Sequence, residues 1–156
     1  MRDAGGPGAA SGRTPPGRDA FRFWTEEKLR NADTDQFGHV NNAAVASLFE
    51  AGRMELFGNR PEDPDAAPLQ IVVVRLLMNY HKELYYPGQV AIGTVVTRVG
   101  RTSFDLAQGL FLGSTCFASS EATCVAIDPA SRQPAPIPAA MRGYFTAPHR
   151  AGGSRP

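Results

Sequence analysis

With 156 residues and a formal net charge of +1, the chain suits one domain with one core and carries no field that would gather nucleic acid or an acidic membrane surface. Arginine outnumbers lysine fourteen to two, but the arginines are scattered, which reads as a compositional bias rather than a binding stripe. No apolar run approaches the roughly 20 residues a membrane helix needs, and the N-terminus lacks the apolar stretch of a secretory signal, so a cytoplasmic setting is expected by default.

Residues 1–18 are rich in Gly, Ala and Pro and offer nothing to bury, which predicts a disordered tail; residues 148–156 read the same way, leaving 19–147 as the domain. Phe21 to Arg30 is a plausible first strand with imperfect alternation. The polar stretch DTDQFGHVNN, Asp33 to Asn42, follows. From Asn41 to about Phe57 apolar residues recur at Val45, Leu48, Phe49 and Leu56, the spacing of a helix. Asn41 or Asn42 is a suitable N-cap, and Gly58 sits where helices commonly stop. The segment NRPEDPDAAP, with three prolines in ten residues, must be a loop.

The period then changes to two. Four strand-like runs follow, roughly Leu69–Leu84, Gln89–Val99, Ser103–Leu112 and Ser114–Asp128. Their short connections, a Pro-Gly turn in YYPGQ, then GRTS, then a tight turn at Gly113, favour antiparallel neighbours. The last run puts Ala118, Ser120, Ala122, Cys124 and Ala126 on one face, small enough for the helix to approach. Cys116 and Cys124 fall in this same run, about 26 Å apart at 3.3 Å per residue, too far for a disulfide. Two buried free thiols in a reducing compartment are expected. The Pro-rich segment after Asp128 is expected to peel away. His39, His81 and His149 are far apart in sequence and no Cys-x-x-Cys occurs, so neither a metal nor a cofactor is expected.

Strand, helix and four antiparallel strands make an α+β arrangement, one helix of about four turns against a long curved sheet. Such a sheet leaves edges and a face exposed, for which pairing with a second copy is the remedy.

The polar stretch and its helix carry more than this. Residues 30–58, RNADTDQFGHVNNAAVASLFEAGRMELFG, closely resemble the signature of hotdog-fold acyl-CoA thioesterases, nearest the 4-hydroxybenzoyl-CoA thioesterase-like branch. That signature has an Asp-x-Asp-x-x-Gly turn, then His-Val-Asn-Asn, then a helix with an aromatic–Glu pair and an Arg. Asp33, Asp35, Gly38, His39, Val40, Asn41, Asn42, Phe49, Glu50 and Arg53 match it. Downstream, PGQVAIGTVVTRVGRTSF and PAPIP are similar to later family segments, so the resemblance covers about residues 20 to 140.

The resemblance implies a hotdog fold: a five-stranded antiparallel sheet wrapped around one long central helix, dimerising into a continuous double-width sheet with active sites at the interface. It implies that Asp35 is the catalytic carboxylate, attacking the thioester carbonyl or activating water. It also implies that the backbone N–H nearest Asn42 polarises that carbonyl. A helix N-terminus does offer unpaired N–H groups and the positive end of a dipole, which suits an oxyanion. Gly38 lets the backbone turn tightly beside the ligand. His39, Val40 and Val45 are expected to line the substrate site, and Arg101, Thr102 and Ser103 to hold the nucleotide end of CoA from the partner subunit. Asp33 is read as ordering the turn, and Glu50 with Arg53 as a local ion pair. Relatives commonly carry a tyrosine where this chain has Val45, and an aromatic where it has Asn31 and Ala32; both changes reshape the acyl pocket.

The expected activity is therefore hydrolysis of a fatty or aromatic acyl-CoA by a homodimer or homotetramer, without nucleic acid or membrane partners. The alternatives are an acyl-carrier-protein thioesterase of a biosynthetic pathway and a non-catalytic acyl-CoA-binding hotdog protein; an intact Asp35 argues against the last.

Overall fold

The computed structural model describes residues 14–147, so the expectations for residues 1–13 and 148–156 fall outside the described residues. In chain order the elements are β1 (Phe23–Lys28), α1 (Asn42–Gly58), β2 (Gln70–Tyr80), β3 (Gln89–Val99), β4 (Ser103–Leu112), β5 (Thr115–Ile127) and α2 (Ala139–Thr146). The strands form one sheet in the order β1-β3-β4-β5-β2, with every neighbouring pair antiparallel. This is the α+β hotdog arrangement expected, a five-stranded antiparallel sheet curved around a long helix, with one difference: a second helix, α2.

Helix α1 begins where the Asn41 side chain accepts the Ala43 N–H at 2.8 Å, with Asn41 itself extended at φ −61°, ψ 142°. That is the geometry of an N-cap. Val45, Leu48, Phe49, Gly52, Leu56 and Phe57 are buried at intervals of three and four, so one stripe of the helix faces the sheet. Gly52 is where the two come closest. A Cβ there would lie 2.7 Å from the Ile92 side chain and 2.8 Å from Gln108 Nε2.

Opposite the helix, β5 buries every second residue from Cys116 to Ala126. Ala118 joins the cluster of Val45 and Phe49; Ala122, Cys124 and Ala126 join that of Leu56 and Phe57. Small side chains on β5 thus accommodate the bulky ones of α1, and both cysteines are free and buried.

The segment after Asp128 does not peel away. Ala135 N–H donates to Ala126 O and Ile137 N–H to Arg101 O, at 2.9 and 2.8 Å. Pro138 then caps α2, which buries Met141 and Phe145 against Phe104 and Phe57. Two apolar residues four apart on eight residues are too few for an isolated helix, so docking supplies the stability.

At the other end of the domain, Arg18 lies 4.0 Å above the Trp24 ring and donates to Gly113 O at 3.0 Å. β2 and β1 form the two edges. β2 is the more apolar, with Val73, Val74, Leu76, Leu77 and Tyr80 exposed. Among the described residues no helix is long and apolar enough to cross a membrane.

Candidate active site

The stretch Asp33 to Asn42 folds into a tight loop whose arms pair at Thr34 and Val40. Asp35 N–H donates to His39 O at 2.8 Å and Gly38 N–H to Asp35 O at 3.0 Å. Gly38 holds φ 83°, in the left-handed region that disfavours any side chain. Phe37 N–H donates to Asp35 Oδ1 at 2.8 Å, while Asp35 Oδ2 has no hydrogen-bond partner among the described residues. Asp35 is half-exposed, and Phe37 at the tip is 72 % exposed.

Asp33 is the anchor beneath this loop. Its carboxylate is buried and takes Arg30 N–H at 2.7 Å and Arg30 Nη2 at 2.7 Å. Those Arg30 hydrogen bonds hold the Asp33 carboxyl below the usual carboxylate range. Asp33 O in turn accepts Asn41 N–H at 2.7 Å, and Leu84 O accepts Val40 N–H at 2.7 Å. Both arms of the loop are therefore tied down where the helix starts. The two acids of the Asp-x-Asp pair thus differ: one is consumed by structure, the other is presented.

The N-cap serves Ala43, not Asn42. Among the described residues the Asn42 N–H has no acceptor, and it is the first amide of a 17-residue helix. A cavity of about 250 Å³ opens beside it. From the motif it takes His39, Val40, Asn42 and Val45 as lining. Leu84, Leu110, Phe117 and Ala118 add an apolar wall, and Tyr80, His81, Lys82 and Glu83 complete the lining. Asp35 and Gly38 stand on the adjoining loop, outside the lining.

These further wall residues were not singled out in the sequence. His81 belonged to a run read as strand through Leu84. In the structure β2 ends at Tyr80 because the His81 and Lys82 N–H groups both turn to Phe117 O, at 2.8 and 3.2 Å. The break places His81 at the cavity, with Nε2 at 2.9 Å from Ser119 Oγ. At the rim, His39 lies 3.7 Å from Glu83 Oε1, and Glu83 also accepts the Tyr85 hydroxyl at 2.7 Å.

Arg101, Thr102 and Ser103 are not brought to this site within one chain. They form the β3–β4 hairpin, closed by Gly100 N–H to Ser103 O at 2.7 Å. The hairpin lies at the end of β3 opposite Gln89, whereas the helix start neighbours the Gln89 end, where Leu29 N–H meets Gly88 O. Over the eleven residues of β3 that separation is on the order of 30 Å.

The Glu50–Arg53 ion pair expected from spacing is not present among the described residues. Arg53 is buried while Glu50 is exposed. Arg53 Nη1 instead donates to Gln108 Oε1 at 3.1 Å, and its Nε has no hydrogen-bond partner among the described residues. Desolvation lowers the Arg53 pKa.

The chain belongs to the thioesterase-like superfamily, whose family profile matches residues 29–145. Among solved structures it is similar to the PA5185 protein of Pseudomonas aeruginosa, with a TM-score of 0.78 and 24 % identity, covering 86 % of this chain and 96 % of that one; this likeness is one of fold. It is also similar to a predicted thioesterase from Bacillus stearothermophilus, with a TM-score of 0.73 and 28 % identity over 85 % of this chain and 98 % of that one. A thioesterase from Thermus thermophilus, complexed with coenzyme A and Zn, has a TM-score of 0.71 and 26 % identity over 81 % of this chain and 93 % of that one. No curated protein matches the chain.

Proposed function

We propose that this chain hydrolyses the thioester of an acyl-CoA to a free acid and CoA. The observation that carries the reading is a presented carboxylate on the loop that leads into an unoccupied helix amide: Asp35 on the loop, Asn42 N–H at the first position of α1, and a cavity with an apolar wall beside Asn42. Superfamily membership supports thioester hydrolysis, and the coenzyme A bound by the Thermus thermophilus relative supports CoA as the leaving group.

In this mechanism the acyl group enters the cavity beside Val40 and Val45, with His39 at the rim, and the carbonyl oxygen receives the Asn42 N–H. Asp35 either attacks the carbonyl carbon or takes a proton from the water that does. As the new C–O bond forms, negative charge grows on the carbonyl oxygen. The helix start stabilises that charge with little reorganisation. Collapse of the adduct breaks the C–S bond and releases CoA as thiolate. If Asp35 attacked, water then hydrolyses the acyl-aspartate.

The exposed apolar edge of β2 suits pairing with a second copy. In this reading the copy brings its Arg101, Thr102 and Ser103 toward the nucleotide end of the CoA held by the first. The test is release of free thiol from a panel of acyl-CoAs by wild type and Asp35→Asn. The substitution removes the charge at nearly constant shape and is expected to cost at least ~10²-fold in kcat. Retention of near-wild-type turnover would refute the assignment.

A further inference from the structure

Helix α2 and the segment leading into it grip the hairpin that carries Arg101. Arg142 Nη2 donates to Gly100 O at 2.8 Å. Ile137 N–H donates to Arg101 O at 2.8 Å, Ala126 N–H of β5 to Thr102 O at 2.8 Å, and Gly100 N–H to Ser103 O at 2.7 Å. All four carbonyls from Gly100 to Ser103 are thus taken up within the chain. The Arg101 and Thr102 N–H groups, by contrast, have no acceptor among the described residues. Charge is unbalanced in the same sense. Arg98 meets Asp105 Oδ2 at 2.6 Å. Arg101 is exposed and Arg142 half-buried, and neither has an ion-pair partner among the described residues.

From this arrangement we infer that the hairpin binds a phosphate of the nucleotide end of CoA through the Arg101 and Thr102 backbone amides together with the Arg101 guanidinium, and that Arg142 of α2 is the residue that positions those amides. The inference rests on the thioesterase reading above, in which the hairpin takes that end of the substrate, and adds α2 to it.

Three physical points carry it. The first is peptide geometry. Gly100 O and Arg101 N–H belong to one peptide unit, and Arg101 O and Thr102 N–H to the next. Both units are trans, so in each the N–H points away from the C=O. Arg142 and Ile137 hold the two carbonyls against the α2 side, which directs the two amides the other way. Successive backbone N–H groups presented by a turn make a concavity for anions. The second is charge. Arg142 ends within hydrogen-bond distance of the residue before Arg101, well inside the roughly 8 Å over which salt screens exposed charges. An anion at the turn therefore meets two uncompensated cations, one of them with the planar fork that suits phosphate. The third is anchorage. Met141 and Phe145, on either side of Arg142, are buried against Phe57 and Phe104, and Arg22 Nη1 donates to Tyr144 O at 3.0 Å. The hairpin is thus ordered before the ligand arrives, which lowers the cost of binding.

The experiment measures two things: the affinity of adenosine 3′,5′-bisphosphate, the nucleotide end of CoA, by calorimetry, and KM and kcat for an acyl-CoA and the matching acyl-pantetheine. Arg142→Met removes the donor and the charge but keeps an apolar stem, so α2 stays docked, which a melting curve checks. The variant should weaken nucleotide binding and raise KM for the acyl-CoA by about ten-fold, the scale of one hydrogen bond to a charged group. Its effect on kcat should be small, because a remote contact holds ground state and transition state alike. Acyl-pantetheine kinetics should not respond. Arg142→Lys, which returns a charged donor, should recover most of the loss. A purely structural Arg142 would instead lower the melting temperature and impair both substrates equally. That result, or wild-type nucleotide affinity in Arg142→Met, would overturn the inference. The two readings fail separately. Nucleotide binding that Arg142→Met weakens, in a protein that hydrolyses no thioester, would uphold the phosphate site and remove the thioesterase. Acyl-CoA hydrolysis with a KM indifferent to Arg142→Met would do the reverse.

Discussion

The Asn42 amide can be removed without removing the helix, because it is the first amide of α1. Asn42→Pro deletes that N–H and nothing else in the backbone's hydrogen-bond accounting, since the group has no intrahelical partner to lose. Proline is favoured at the first helical position, where its fixed φ suits the helix. It also restricts the preceding residue to extended backbone, and Asn41 already lies at φ −61°, ψ 142°. The cap from the Asn41 side chain to Ala43 N–H is untouched, as is Asn42 O, which Tyr80 approaches. Thermal stability should therefore stay within about 1 kcal/mol of wild type, the size of a single capping effect. Activity should not survive so well. Loss of one oxyanion donor costs on the order of 10²–10³-fold in kcat. Asn42→Ala, which keeps the N–H and loses only an exposed side chain, is the control and should retain activity within a few-fold. Steady-state kinetics with an acyl-CoA, alongside melting curves of all three proteins, makes the comparison. A folded Asn42→Pro variant with wild-type kcat would show that the oxyanion is held elsewhere.

Gln108→Leu strands the buried Arg53, which has Gln108 Oε1 as its side-chain acceptor, and unpairs Thr94 Oγ1. A charged hydrogen bond plus an orphaned hydroxyl comes to about 3–4 kcal/mol, and adding Arg53→Met should recover at least about 1 kcal/mol of it; urea titrations in which the two single effects simply add would count against the coupling. Phe145→Ala should lower stability by about 3 kcal/mol, because the ring packs 4.7 Å from Phe104 between centroids; an unchanged melting temperature would mean that α2 does not dock in solution. The Arg30 hydrogen bonds depress the folded-state pKa of Asp33, so their stabilisation is present above the unfolded carboxylate value of about 4 and is lost as pH falls through the folded value. Denaturation midpoints of wild type and Asp33→Asn should thus differ near pH 6 and converge in acid; an equal gap at both would assign the effect to something other than ionisation.

The bounds of β3 and β4 were legible from the residues because turn chemistry frames both: Pro87–Gly88 before β3, Gly100 to Thr102 between them, and Gly113 at φ 60° after β4. The turn of the site loop was legible through its motif, since its own bonds, Asp35 N–H to His39 O and Gly38 N–H to Asp35 O, lie within ten positions, whereas the tie from Val40 to Leu84 does not. What escaped was non-local. Helix α2 is preceded by Pro134, Pro136 and Pro138, which masked it, and it has meaning only against Phe57 and Phe104. Arg53 meets Gln108 across 55 positions, and spacing along the helix suggested Glu50 only because Glu50 was near in sequence. His81 was hidden inside an apolar run whose break depends on where Phe117 O sits on another strand.

These non-local contacts explain how a helix start can serve as a rigid electrostatic device. The position of Asn42 is set by the cap on Ala43, by Asn41 N–H on Asp33 O and by Val40 N–H on Leu84 O. Two turns on, Gln108 Nε2 grips Phe49 O at 3.0 Å, which Gly52 permits by having no Cβ in the way. The amide is thereby fixed to the sheet from both sides, as preorganised stabilisation of an oxyanion requires. The Asp35 side is built differently. One carboxylate oxygen is held by the loop at Phe37 N–H, the other is unengaged, and the exposed aromatics Phe37, Tyr85 and Tyr86 lie close to it in the chain or across the His39–Tyr85 bridge. A single copy thus completes the oxyanion half of the proposed site and leaves the carboxylate half open to solvent. Covering those aromatics and the apolar edge of β2 with a second copy would lower the dielectric around Asp35 and so strengthen the field of the helix start acting on the same carbonyl.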